Sequence, residues 1–208
     1  MKTLVITGAS KGIGFATATQ FCDAGYRVIN FSRSTPPDDR IESYAVDLSD
    51  PEIESRITAL LDEHLEPEEI CLVHNSATML NDTVRNADAE EFVDVLRVNI
   101  VTPQILNRFL IKKMKTGSSI IYLGSTLSEK AVTNAFSYVT SKHAVVGMMR
   151  ATCQDLSGTG IHTSCICPGF TDTEMLRTHV GDDEDVLLSL IHISEPTRPE
   201  RIADGGVW

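Results

Sequence analysis

The sequence predicts an α/β domain, a parallel sheet covered by helices on both faces, and three observations lead to it. Short apolar, β-branched runs alternate with helix-length stretches along most of the chain. The first such run passes directly into a glycine-rich turn and then a helix start. The 208 residues, 42% hydrophobic and 23% charged, suit one sizeable core, and no repeat or low-complexity linker divides them. A single domain over residues 1–208 is therefore expected.

Residues 2–7 are rich in apolar and β-branched side chains and read as a buried strand. Gly8, Gly12 and Gly14 follow in the spacing Gly-x-x-x-Gly-x-Gly, and residues 15–24 read as a helix closed by Gly25. A strand, a glycine turn and a helix start together form a phosphate cradle. Glycine permits close backbone approach, while the first helical N–H groups and the helix dipole favour an anion. Residues 26–31 and 43–46 read as strands, and residues 51–64 as a helix with Pro51 in its first turn. Further strands are expected at 70–74, 119–123 and 161–166, separated by long helices over about 87–115 and 136–156.

Composition narrows the partners. A formal net charge of −11 argues against nucleic acid and anionic membrane surfaces. No apolar run is long enough to span a bilayer, and a strand starting at residue 2 leaves no room for a signal peptide. A cytoplasmic protein is expected. The five cysteines include no Cys-x-x-Cys pair and the six histidines form no ligand cluster, so reduced thiols and no metal are expected.

Tyr138 and Lys142 stand four residues apart in a predicted helix, which puts both side chains on one face. An ammonium beside a phenol favours phenolate, so this pair, together with a cofactor charge, predicts a Tyr138 pKa below its usual value of about 10. Such a phenol exchanges a proton with an alcohol or ketone.

In order along the chain stand Thr7 to Gly14, Val46-Asp47-Leu48, Asn75-Ser76-Ala77, Asn99, Ser125, Tyr138-x-x-x-Lys142, and Pro168-Gly169-x-x-x-Thr173. This ordered set resembles the short-chain dehydrogenase/reductase family in its compact single-domain form. The resemblance implies a doubly wound Rossmann sheet and a homodimer or homotetramer. It also implies a small carbonyl or alcohol substrate, reduced or oxidised with a nicotinamide cofactor. By the same resemblance Ser125 binds the substrate oxygen and Tyr138 exchanges the proton. Lys142 lowers the Tyr138 pKa and holds the nicotinamide ribose, while Asn99 holds a helix backbone and a proton-relaying water. The cofactor would be bound by Gly8, Ser10, Lys11, Gly12, Ile13 and Gly14, by Ser32 and Arg33, and by Asp47 and Leu48 at the adenine. Asn75, Ser76 and Ala77 would line its groove, and Tyr138, Lys142, Pro168, Gly169, Thr171 and Thr173 would meet its nicotinamide half. Thr78 departs from the family pattern, standing where a glycine is usual. The alternative reading is a non-catalytic NADP(H)-binding or redox-sensing protein on the same scaffold.

The cofactor form is read separately. Enzymes preferring NAD carry an acid at the end of the second strand to bind the ribose 2′-hydroxyl. Here Ser32 occupies that position and Arg33 follows it, with Lys11 adding charge in the glycine turn. A 2′-phosphate suits an arginine fork, so NADPH is expected over NAD.

Past Thr173, residues 173–189 fit a substrate lid, and the chain ends before the family's last strand, which is expected to be lacking. Residues 188–198 read like a translated sequencing adapter, and a non-native tail is expected beyond about residue 187.

Overall fold

The structure, a computed structural model, describes residues 2–171. The chain divides into two compact units, Met1–Pro168 and Gly169–Trp208. The expectations for Thr173, the lid, the last strand and the adapter-like tail all lie outside the described residues.

Within the first unit six strands form one parallel sheet in the order β3-β2-β1-β4-β5-β6. They are β1 (Lys2–Thr7), β2 (Arg27–Ser32), β3 (Ile41–Ala45), β4 (Glu69–His74), β5 (Ser119–Leu123) and β6 (His162–Ile166). Every described pairing is parallel, as the expected doubly wound fold requires. Helix α1 (Gly12–Asp23) links β1 to β2, and α2 (Ile53–His64) links β3 to β4. Helix α5 (Phe136–Asp155) joins β5 to β6.

The central strands are buried on both faces, so their side chains divide by parity between two cores. Val5 joins Ile29, Leu72, Ile120 and Tyr122 under Ile53, Ile57 and Leu61 of α2 and Val145 of α5. Leu4 and Ile6 point the other way, with Val28, Cys71 and Val73, against Ala18 of α1. Full burial of such side chains contributes about 1.5–3 kcal/mol each.

Three local expectations are corrected. Pro51 lies just before α2 rather than inside its first turn, and the Asp50 carboxylate accepts the Glu52 N–H instead (2.9 Å). The third strand begins at Ile41 rather than residue 43. The expected long helix over 87–115 is three pieces: α3 (Ala89–Leu96), a π-helical turn (Arg97–Val101) and α4 (Thr102–Leu110). Asn99 sits in the π turn and its side chain is claimed by neighbouring elements, which holds the extra residue in the turn. Helix α3 is capped by Asp88, whose carboxylate accepts the Glu90 and Glu91 N–H groups.

Candidate active site

The order β3-β2-β1-β4-β5-β6 reverses direction between β1 and β4. In an open parallel sheet this switch point leaves a crevice outside the strands' carboxyl ends. The glycine turn leaves β1 there, Asn75 follows β4, and Ser125 follows β5.

The glycine turn is pinned on two sides. Asn30, buried in β2, accepts the Ala9 N–H (2.8 Å), and the Gly8 N–H donates to the Phe31 carbonyl (2.9 Å). Across the crevice the Asn75 amide donates to the Thr7 and Gly8 carbonyls at 2.9 and 3.0 Å. Thr7 Oγ1 accepts the N–H groups of Asn75 and Ser76. Gly8 has φ +73°, a conformation open to glycine. A β-carbon on Gly14 would come within 2.3 Å of the Gly8 carbonyl oxygen and 2.4 Å of Asn75 Nδ2. The Lys11 side chain, at the N-cap of α1, makes no capping hydrogen bond to the first helical N–H groups. Uncapped helical N–H groups beside backbone kept bare of side chains fit the phosphates of a dinucleotide. Gly8, Ser10, Lys11, Gly12, Ile13 and Gly14 all belong to this turn and helix start.

The second-strand end differs from a carboxylate site. Ser32 is buried, accepts from Asn30 Nδ2 (2.7 Å) and donates to the Ser34 carbonyl (2.7 Å), whereas Arg33 is exposed. Asp47 is exposed and Leu48 buried. The Ser49 N–H and hydroxyl hold the Asp47 carboxyl below its ordinary pKa, with a smaller contribution from the Arg33 guanidinium.

Helix α5 buries a polar stripe of Ser137, Tyr138, Ser141 and Lys142, which explains why its sequence lacks an apolar face at that end. Tyr138 and Lys142 do share one face, with Lys142 Nζ 5.4 Å from the Tyr138 ring centroid. The Lys142 ammonium donates to the Leu123 carbonyl (2.6 Å) at the end of β5. Ser125 stands two residues beyond, in extended conformation, and opens a short 3₁₀ turn (Thr126–Ser128). Its hydroxyl accepts the Leu127 N–H (3.1 Å) and acts on the Tyr138 phenol, pulling its pKa down. The Pro168 carbonyl accepts the Thr126 N–H (3.0 Å), so the end of β6 borders the same turn. Gly169 and Thr171 open the second unit, where the Thr171 hydroxyl faces the Gly169 carbonyl.

The protein's own groups do not give the lowering expected for Tyr138, an expectation that also counted on a cofactor charge. Burial raises its pKa, and the Ser125 side chain offsets this only in part. Burial also lowers Lys142 to about 8, with Cys165 and Cys167 acting in the opposite direction. Both groups are shifted away from their charged forms because each is removed from water, and desolvation outweighs the distant ammonium. Cys165 and Cys167 pack their sulfurs beside Gly124, where a β-carbon would lie 2.8 and 2.7 Å away. Among the described residues no group of three or more His, Cys, Asp or Glu is placed to hold a metal.

Asn99 is fully engaged. Its Oδ1 accepts the Thr78 N–H (2.8 Å), and its Nδ2 donates to the Thr78 carbonyl (3.0 Å) and to Ser141 Oγ (2.8 Å). Ser141 in turn donates to the Tyr138 carbonyl (2.8 Å). Asn99 thus joins the loop after β4, the π turn and α5, and its side chain makes no hydrogen bond to Lys142. Thr78, in the position of a usual glycine, supplies only backbone atoms to this clamp. Sequence reasoning missed Asp82, a buried carboxylate 55 residues before Ser137 that accepts its backbone N–H (3.1 Å).

Comparison with known proteins agrees with this layout. The short chain dehydrogenase family model matches residues 2–184. The 3-oxoacyl-[acyl-carrier-protein] reductase MabA of Mycobacterium avium is 26% identical over 178 residues, covering 85% of this chain and 69% of its own. The structure of 4-hydroxyisoleucine dehydrogenase complexed with NADH is 27% identical with TM-score 0.74, covering 86% of this chain and 79% of that one. A Beutenbergia cavernae protein with bound NADP at low occupancy is also 27% identical, with TM-score 0.80 and coverage of 89% and 78%. The chain belongs to the short-chain dehydrogenase family, NAD(P)-dependent oxidoreductases that interconvert carbonyls and alcohols.

Proposed function

We propose that this protein is an NADPH-dependent reductase of a ketone or aldehyde, reversible to alcohol oxidation, with Tyr138 as the proton donor. The observation that carries this reading is the packing of Tyr138 against Leu127 in the turn that Ser125 opens after β5, with the crevice at the β1/β4 switch point beside it. The bound cofactor supplies the hydride, and with it the hard chemistry.

The chain's own residues do the rest. Ser125 and Tyr138 converge as two hydroxyl donors where a carbonyl oxygen accumulates charge. A phenol kept protonated by burial suits the reductive direction, since it holds the proton that the nascent alkoxide takes up. Lys142, poised near 8 and fixed to the Leu123 carbonyl, is a buried amine able to re-protonate the phenol through neighbouring hydroxyls. Asn99 holds the helix that carries both. Gly8, Ser10 to Gly14, Asn75, Ser76 and Ala77 hold the dinucleotide, and Pro168 its nicotinamide end. Preference for NADPH is supported by exposed Arg33 and by Ser32, whose hydroxyl is spent on Ser34 rather than offered to a ribose. We also read the protein as a homo-oligomer, supported by exposed apolar residues Val93, Val101 and Phe136 at 48%, 43% and 37%.

The test is cofactor oxidation against a panel of ketones, aldehydes and 3-oxoacyl thioesters, run in parallel with NADPH and NADH. Turnover of at least one carbonyl with NADPH is expected. NADPH binding without turnover of any carbonyl would favour the non-catalytic alternative.

A further inference from the structure

Helix α5 has no cap from its own sequence. Ala135 precedes it with no side-chain acceptor, yet the helix carries Tyr138 in its first turn. The missing acceptors come from Asp82, in the loop after β4. The Asp82 carbonyl accepts the Phe136 N–H (3.1 Å), and its Oδ1 accepts the Ser137 N–H (3.1 Å). Its Oδ2 accepts the Ser137 hydroxyl. Asp82 and Ser137 are both buried, at 6% and 0% exposed. A parallel bridge between Asp82 and Ala135 fixes the same junction through the backbone.

A second, indirect link joins the same loop to the helix. Thr78, four residues earlier in the loop, is held by Asn99, which also holds Ser141, whose hydroxyl reaches the Tyr138 carbonyl. Tyr138 therefore lies between two clamps that start from one loop. That loop begins at Asn75, which grips the glycine turn. We infer that Asp82 is a positioning residue for proton transfer, capping α5 from a distance and fixing the Tyr138 phenol against Ser125 and the cofactor crevice. The inference rests on the assignment of Tyr138 as proton donor. Displacing a reacting group by about an ångström is enough to cost on the order of a hundredfold in rate.

The test compares Asp82→Ala, Asp82→Asn and Ser137→Ala on a carbonyl that the wild type reduces and that Tyr138→Phe does not. Loss of turnover in Tyr138→Phe secures the underlying assignment separately. Assays are run well below each variant's melting temperature, with active protein counted by NADPH binding. Asp82→Ala is expected to lower kcat about 10- to 100-fold, with NADPH Kd within about twofold of wild type. The pH limb of kcat belonging to the phenol should move with it. Asp82→Asn is expected to regain most of the rate, because the amide oxygen still accepts the Ser137 N–H and the amide N–H reaches the Ser137 hydroxyl. An Asp82→Ala kcat within twofold of wild type overturns the inference. So does a loss that Asp82→Asn shares in full, or one accompanied by an equal loss of NADPH affinity. Should Asp82→Ala fail to fold, Ser137→Ala decides, since it removes one hydroxyl and keeps the backbone bond. Wild-type kcat and pH limb in that variant overturn the inference, and a reduced kcat with a shifted limb supports it.

Discussion

Tyr138 and Lys142 share a helix face as their spacing requires, but burial sets their protonation more strongly than their proximity does. The phenol is raised and the amine is lowered to about 8, so each resists the charge it would carry during proton exchange. This detail was illegible in the sequence, because helical spacing reports direction and not depth. The place of Ser125 after β5 was legible, whereas the packing of Tyr138 against the turn it opens required coordinates. Cofactor choice belongs to this scale as well. Arg33→Ala should lower the preference for NADPH over NADH by about 10- to 100-fold, as loss of one charge-assisted contact implies. Ratios of kcat/KM for the two cofactors check it, and an unchanged ratio would remove Arg33 from the 2′-phosphate site.

Among the elements, those marked by local signals were legible to within a few residues at their ends, whereas features held by distant partners were not. The glycine turn announced itself because its three glycines fall between an apolar strand and a helix start. Gly14 shows why the residue type matters, since a β-carbon there would strike the Gly8 carbonyl and the Asn75 amide. Gly14→Ala should weaken dinucleotide binding at least tenfold and lower the melting temperature, because one backbone wall of the cradle must retreat. Calorimetric titration and thermal melting check this, and unaltered binding would mean the cradle is not the phosphate site. The π turn at Arg97–Val101 was hidden because apolar spacing continues through it, while Asn99 is held there by Thr78 and Ser141. Asp82 was hidden for a related reason: its carboxylate caps a helix 55 residues away.

Across the whole molecule the parallel order β3-β2-β1-β4-β5-β6 brings the ends of β1, β4 and β5 together, and the same packing buries a histidine in the core. His74 Nε2 meets Asn107 Oδ1 (2.8 Å), while Asn107 Nδ2 donates to the Tyr122 hydroxyl (2.7 Å). This arrangement assigns the Nε2 proton, and Nδ1 is buried with no partner, so a second proton would have no acceptor. Burial accordingly lowers the His74 pKa from 6.5 to about 4. Between those values the unfolded chain holds more protons than the folded one. Stability is then full above about 6.5 and is lost as pH falls toward 4, by about 3 kcal/mol in total. His74→Gln, which keeps a donor for Asn107, should flatten the fall in melting temperature over that window. Equal slopes in the two proteins would mean His74 is not the titrating group. The molecule as a whole is read as a machine for passing hydride and proton to a carbonyl, and Tyr138→Phe tests that reading most directly. Single-turnover oxidation of bound NADPH by a carbonyl substrate should slow by at least a thousandfold in this variant, with NADPH Kd within about twofold of wild type. A variant that oxidises NADPH at the wild-type rate would contradict the account.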